Sequence, residues 1–199
     1  HQPGRDSGTV IAMIPVSSFV GAEVAVFGLG ASGRSTCRAL LAGGARVAAW
    51  DDGDAARAAC AAEGITIVDL AGADWSRFAA LILAPGVPLT HPEPHWTVER
   101  ARAAGIEIIG DIELFFRERA RLSPASEVVC ITGTNGKSTT TALIAHVLAA
   151  AGAKVEMGGN IGVPVLDLAP PDGNCIHVLE MSTFQIDLTP SLAPTIGVL

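Results

Sequence analysis

Basic residues are in short supply in this sequence. Lys and Arg number 13 against 20 Asp and Glu, which leaves a formal net charge of −7 with histidine neutral. A general nucleic-acid or acidic-membrane binder is excluded by that balance, and only a local basic pocket remains open. No apolar run approaches the roughly 18 uninterrupted residues of a membrane span, so no membrane insertion is expected. The cysteines Cys37, Cys60, Cys130 and Cys175 form no C-x-x-C pair, and two of them sit in apolar strand-like runs. They read as free buried thiols of a reducing cytosol, which places the protein in the cytoplasm. His91 and His95 are four apart, but Pro92 and Pro94 deny them a shared helical face and exclude a zinc site there. A secretory signal is also missing, because Arg5 precedes only a short apolar patch that Pro15 interrupts. There is no repeat of solenoid length and no low-complexity tract.

What is present is a 199-residue chain, 49% hydrophobic, with a mean hydropathy of +0.43. That suits one large or two small domains with a real core. Strand and helix signals alternate. Strands are expected at Glu23–Phe27, Arg46–Trp50, Ile65–Val68, Leu81–Leu83 and Ile106–Ile109. Helices are expected over Ser32–Ala42, Asp54–Glu63 and Ile112–Arg121, with Asp111 as a cap for the last, and Glu99–Ala104 falls in another. Ser123-Pro124-Ala125-Ser126 is the best linker, after which the β-loop-α pattern restarts at Val128. The fold class is therefore α/β, with a Rossmann-like parallel-sheet domain over 13–122 and part of a phosphate-loop α/β domain over 123–199. Residues 1–12 lack periodicity and read as a disordered extension or an expression remnant, with Met13 as a natural start. The last five residues, Thr195–Leu199, are apolar as if inside a strand, so a fragment is expected.

The most informative stretch runs from Val128 to Ala151. An apolar β-branched run ends in Gly133-Thr134-Asn135-Gly136-Lys137-Ser138, and a helix-period segment follows at once. Strand, glycine loop with Lys-Ser, and helix is the layout of a triphosphate-binding loop. Glycines let backbone N–H groups turn inward around phosphate oxygens, and the helix N-terminus adds partial positive charge. Lys137 would neutralise the outer phosphates, and the Ser138 hydroxyl would ligate Mg²⁺. The spacing is the compressed G-x-x-G-K-S. The common form needs glycine at position 131, where this chain has Ile131.

The first unit carries its own glycine turn, Gly28-Leu29-Gly30-Ala31-Ser32-Gly33, with Asp51 at the end of the second strand. Alone, this G-x-G-x-x-G reads as a diphosphate-nucleotide fingerprint more firmly than as one for NAD. Asp51 and Asp52 could equally be helix caps or solvated acids. Ala84-Pro85-Gly86 follows a strand beside the first, where its backbone groups could face the same ligand. Further on stand Gly158-Gly159-Asn160-Ile161-Gly162 and Glu180-Met181-Ser182-Thr183-Phe184-Gln185. Glu180 ends an apolar strand, and beside a phosphate loop such an acid can share Mg²⁺ with Ser138.

The set GLGASG, APGVPLTHP, GIEIIGDIELF, ITGTNGKSTT, GGNIGVP and LEMSTFQID, in that order and spacing, resembles the Mur ligases from about Met13 to Leu199. The GTNGKS loop marks the wider family, which includes folate polyglutamate synthases. The GDIELF, GNIG and SxFQ combination is specific to the D-glutamate-adding branch. Ala84 stands where a serine is usual, and Thr183 where a second serine is common.

The resemblance implies a peptidoglycan-precursor enzyme. Using ATP and Mg²⁺, it would join the carboxylate of UDP-N-acetylmuramoyl-L-alanine to the amine of D-glutamate through an acyl phosphate. Gly133, Thr134, Asn135, Gly136, Lys137, Ser138 and Thr139 would bind ATP, with Lys137 and Glu180 as the catalytic pair and Ser138 and Glu180 on the metal. Gly30, Ala31, Ser32, Asp51, Asp52, Ala84, Pro85 and Gly86 would hold the UDP-sugar, with Asn160 and Ser182 near the reacting centre. It implies a bacterial, cytoplasmic monomer whose partners are small molecules. The family's remaining metal-binding histidine, a carbamylated lysine and a glutamate-binding domain are expected beyond Leu199, so this piece is expected to be inactive alone. A nicotinamide-dependent oxidoreductase is the rival from another class, and the GTNGKS loop argues against it. A non-catalytic nucleotide-binding module is the other alternative.

Overall fold

Short runs of β-branched and small apolar residues make the strands. The first six are each followed by a glycine-containing turn that starts a helix or a loop. The computed structural model describes residues 13–199, so the expectation for residues 1–12 lies outside the described residues. The first unit contains β1 (Glu23–Phe27), α1 (Ala31–Ala42), β2 (Arg46–Trp50), α2 (Asp54–Ala62), β3 (Ala80–Leu83), α3 (Trp96–Ala104), β4 (Glu107–Ile109) and α4 (Asp111–Leu122). The second contains β5 (Val128–Ile131), α5 (Lys137–Ala150), β6 (Lys154–Gly159), β7 (Cys175–Glu180), α6 (Thr183–Asp187) and β8 (Ile196–Val198).

The strands form two four-stranded sheets, ordered β2-β1-β3-β4 and β6-β7-β5-β8, and every neighbouring pair is parallel. The expected α/β class with parallel sheets is what the chain adopts. β3 and β5 are buried at every position, the pattern of strands covered on both faces. Parallel pairing also brings the carboxyl ends of neighbouring strands to one edge of each sheet, where ligands bind in open α/β folds.

Two local expectations are corrected. Ile65–Val68 is not a strand. It makes one bridge, Ala49 to Ile67, before the chain turns away at Asp69. The segment's ladder bonds are two, Ala49 N–H to the Thr66 carbonyl at 3.1 Å and Val68 N–H to the Ala49 carbonyl at 3.0 Å. Asp111 is not the cap of α4. Gly110 holds that position, and Asp111 is the first helical residue, its carboxylate accepting from Ser32 Oγ and from the adjacent Ile112 N–H.

The two sheets share one apolar core. Val24, Leu40, Ile112 and Phe115 pack in the same cluster as Val128, Leu166, Leu179 and Met181. A fully buried side chain such as Phe115 contributes about 2–3 kcal/mol by leaving water. Polar ties reinforce the seam. Ile14 N–H donates to the Leu166 carbonyl at 2.8 Å, and Gly110 N–H to the Leu188 carbonyl at 2.9 Å. The Asp167 carboxylate accepts from Ser35 Oγ at 2.8 Å and pairs with Arg38 at 3.1 Å. The buried Glu113 accepts from Ser191 N at 2.9 Å. Ser123–Ser126 is a pinned turn, with the Ser126 carbonyl accepting from Arg119 Nε at 2.9 Å.

Candidate functional site

The loop after β5 is built to leave backbone donors open. Gly133 and Gly136 take φ values of +129° and +78°, a region costly for residues with a side chain. Gly136 is the N-cap of the 14-residue α5, no side chain caps that end, and its first turn holds no acid. The first N–H groups of α5 and its partial positive charge thus face outward without an internal competitor. Lys137 folds back across the loop, its Nζ donating to the Gly133 carbonyl at 2.8 Å. Thr134, Asn135, Ser138 and Thr139 are exposed. Thr132, Gly133, Thr134, Asn135, Thr183 and Ile186 line a depression of about 550 Å³ beside the loop. The open N–H groups at the start of α5 and the Lys137 ammonium beside this uncharged lining suit a polyanion such as a triphosphate.

Strand register brings Glu180 to this loop. Ile131, the last residue of β5, pairs with Glu180 at the end of β7, which pairs in turn with Gly159 of β6. Glu180 is only 1% exposed. Its Oε1 accepts from Asn160 Nδ2 at 3.2 Å, while Oε2 is buried with no hydrogen-bond partner. Thr132 Oγ1 at the end of β5 is likewise buried and unpartnered. A buried carboxylate oxygen left unpaired is costly, and a cation would relieve it. Among the described residues no group of three or more His, Cys, Asp or Glu is placed to hold a metal. The oxygen donors Glu180 Oε2 and Thr132 Oγ1 are of the type Mg²⁺ takes, one or two protein oxygens with the shell completed by phosphate and water. Ser182 caps α6 in a reciprocal box with Gln185: Ser182 Oγ accepts from Gln185 N at 3.2 Å, and Gln185 Oε1 accepts from Ser182 N at 3.0 Å.

In the first unit the glycine turn lies hard against the turn that follows β3. Gly28 has φ +92°, and a Cβ there would sit 2.6 Å from the Ala84 Cβ. Gly28→Ala is accordingly expected to destabilise the chain by about 2–3 kcal/mol, from left-handed strain and overpacking together. Denaturant unfolding of the two proteins would measure it, and an unchanged midpoint would contradict the close approach. Gly30 is the N-cap of α1, again without a side-chain cap and with no acid in the first turn, so Ala31 and Ser32 begin a second open helix end.

The polar side chains expected on this side are already engaged. Asp51 Oδ2 accepts from Leu29 N at 2.7 Å, and Oδ1 accepts from Gly53 N at 2.8 Å. Asp51 thus ties the two turns together. Ser32 Oγ donates to Asp111 Oδ2 at 2.5 Å. Asp52 is 67% exposed, with Oδ2 3.7 Å from His95 Nε2.

The two units meet in a cavity of about 240 Å³. Pro85, Gly86, Val87, Pro88 and His91 line one side, and Asn160, Ser182 and Phe184 line the other. Four residues expected from sequence, Pro85, Gly86, Asn160 and Ser182, are thereby brought together. Ala84 is spent on packing against Gly28 and does not line the cavity.

The Mur ligase middle domain is the family model that matches this chain, over residues 131–199. The UDP-N-acetylmuramoylalanine–D-glutamate ligase of Nitrobacter hamburgensis is 62% identical over 187 residues, covering 94% of this chain and 40% of that protein. Proteins of the same description from Mesorhizobium japonicum and Rhizobium meliloti are each 58% identical over the same shares. The chain belongs to the Mur ligase family. It spans about 40% of the length of the curated relatives it matches.

Within this Mur ligase chain, four cavity residues escaped the sequence reading: Val87, Pro88, His91 and Phe184. From sequence, His91 draws notice only through its spacing to His95. The available signal was its place in the same Pro-rich turn as Pro85 and Gly86. Phe184 is a large apolar side chain left 45% exposed beside Ser182, which is informative only once its neighbours are known. All four cysteines are free and buried. Burial pushes the Cys37 and Cys130 thiols up to about 12, so neither supplies a thiolate nucleophile near neutral pH. Among the described residues no helix is long and apolar enough to cross a membrane.

Proposed function

We propose that the chain is the UDP-substrate-binding and phosphate-loop portion of an ATP- and Mg²⁺-dependent ligase that adds D-glutamate to UDP-N-acetylmuramoyl-L-alanine. The observation that carries this reading is the cavity where Pro85 and Gly86 meet Asn160 and Ser182, on the carboxyl-end side of sheets that also bear two open helix N-termini. Residues 13–122 form the unit that holds the uridine diphosphate end, at Gly30, Ala31, Ser32 and the Ala84–Gly86 turn. Asp51 acts there by fixing the turn, and Asp52 from the exposed rim. Residues 123–199 are the first part of the ATP-binding domain.

A carboxylate does not condense with an amine in water without activation. Attack of the substrate carboxylate on the γ-phosphorus of ATP forms an acyl phosphate and releases ADP. The D-glutamate amine then adds to the acyl carbon, loses a proton and expels phosphate, leaving the amide. The chain's part is positioning and charge neutralisation. Loop N–H groups of Gly133 to Thr139 and the Lys137 ammonium hold the phosphates. Mg²⁺, when bound, would neutralise phosphate charge; Glu180 and Ser138 are its protein ligands in this reading. Asn160 orients Glu180 through its side-chain amide and faces the substrate from the same cavity. The setting is the bacterial cytoplasm and the active species a monomer.

Calorimetry on this chain tests the nucleotide assignment. UDP and UDP-N-acetylmuramoyl-L-alanine are expected to bind, and NADH is not. Tight NADH binding with no response to either uridine ligand would overturn it. In the full-length enzyme, phosphate release is expected only when all three substrates are present.

A further inference from the structure

The five-residue helix α6 stands between the two candidate binding depressions. Its cap Ser182 and its residue Phe184 line the cavity between the units, while Thr183 and Ile186 line the depression beside the phosphate loop. A helix this short does not hold its own conformation in water, so tertiary contacts must fix it. Its N-terminal end follows β7 of the second unit. Its C-terminal end is held by the first unit. Leu188, the C-cap, is buried in the same apolar cluster as Phe27, Leu83 and Val98. The Leu188 carbonyl accepts from Gly110 N at 2.9 Å, and the two backbones are close enough that a Cβ on Gly110 would stand 3.1 Å from the Leu188 Cβ.

Glu113, buried on α4 of the first unit, completes this hold. Its Oε2 accepts from both N and Oγ of Ser191, at 2.9 Å and 2.8 Å, and its Oε1 accepts from Arg117 Nε at 2.8 Å. Arg117 is in turn forked onto Glu107 at 3.0 Å and 2.7 Å, so the carboxylate is anchored from behind. A carboxylate offers only acceptors, and here donors meet both of its oxygens. Ser191 lies just past Leu188 in a turn that is bonded back to α6. Leu192 N donates to the Thr189 carbonyl at 3.1 Å, and Thr189 Oγ1 donates to the Gln185 carbonyl at 2.6 Å. A shift of Ser191 is therefore passed to the end of the helix. We propose that Glu113 is a positioning residue of the ligase: through Ser191 it clamps the C-terminal end of α6 to the first unit and so sets where Ser182 and Phe184 stand in the cavity. The effect on substrate rests on the reading that the UDP-sugar occupies that cavity.

The test uses Glu113→Gln and Ser191→Ala in the full-length ligase, read by amide hydrogen exchange and by steady-state kinetics. Glu113→Gln keeps the length of the side chain but must turn an NH₂ group towards Ser191 or Arg117. Exchange over residues 182–192 is expected to quicken about tenfold, the scale of one lost hydrogen bond to a charged group, while β1 and β5 exchange as in the parent. The KM for UDP-N-acetylmuramoyl-L-alanine is expected to rise by about the same factor. At saturating substrate kcat should stay within about threefold of the parent, because Lys137 and Glu180 are not on α6. Ser191→Ala keeps the backbone donor and loses only the hydroxyl, so the same local changes are expected at about threefold. Exchange that quickens equally over β1, β5 and 182–192 would show a merely structural Glu113 and overturn the proposal. Parent-like exchange over 182–192, or local loosening with an unchanged KM, would overturn it as well. If Glu113→Gln does not fold, Ser191→Ala decides by the same criteria. Failure of the parent ligase to turn over the UDP-substrate would instead overturn the functional reading beneath it, and the exchange measurement then judges the clamp by itself.

Discussion

Lys137→Ala in the full-length enzyme is expected to lower turnover by at least about 100-fold, the scale on which one preorganised charge-stabilising group acts. The Lys137 Nζ is held over the loop by the Gly133 carbonyl at 2.8 Å, at the start of a helix whose end carries no acid and no side-chain cap. The positive charge is in place before any phosphate arrives, so little reorganisation accompanies its use. The same geometry makes the side chain nearly irrelevant to folding, since its contact in the described structure is one partly exposed hydrogen bond. Thermal unfolding should therefore move little while turnover collapses. Steady-state phosphate release, with the melting temperature measured alongside, separates the two quantities. A variant with near-normal turnover would reduce Lys137 to a solvated lysine on a glycine turn.

Glu180→Gln is expected to raise the Mg²⁺ concentration for half-maximal activity by about tenfold or more and to slow the reaction as well. The glutamine keeps the shape and can still accept from Asn160, whose amide stands 3.2 Å from Oε1. What it removes is the negative charge carried towards the unpartnered Oε2. An unpaired buried charge costs folding energy, so the metal-free variant should be at least as stable as the parent. Opposite signs in metal dependence and stability are the signature sought. Titrating Mg²⁺ against phosphate release would give superimposable curves if Glu180 were only a strand-end acid.

Both glycine turns were legible in the chain because their requirements are local. A strand of β-branched residues, a glycine that must adopt positive φ and a helix that starts at once leave a short-range pattern, as at Val128 to Ser138. Glu180 was legible too, since an acid ending an apolar run marks the carboxyl edge of a parallel sheet. Asp51 stands where a ligand-binding acid would, and only the fold shows that each of its oxygens also accepts a backbone N–H, from Leu29 and from Gly53, so that it ties the two turns together. Ile65–Val68 has strand composition, but a single bridge is all that its neighbour supplies.

By itself the sequence determined the α/β class, most helix starts and stops, the two phosphate-suited turns and the kinship with the Mur ligases. All of these depend on residues close together in the chain or on motifs read in order. The tertiary structure alone decided which candidates have hydrogen-bonding capacity left. It spends Ser32 on Asp111, 79 positions away, and leaves one oxygen of Glu180 without a partner. It also brings His91 and Phe184 into one cavity and welds the two sheets into a common core. These outcomes follow from strand register and from the packing of one sheet against the other, and the chain expresses neither until distant segments have met.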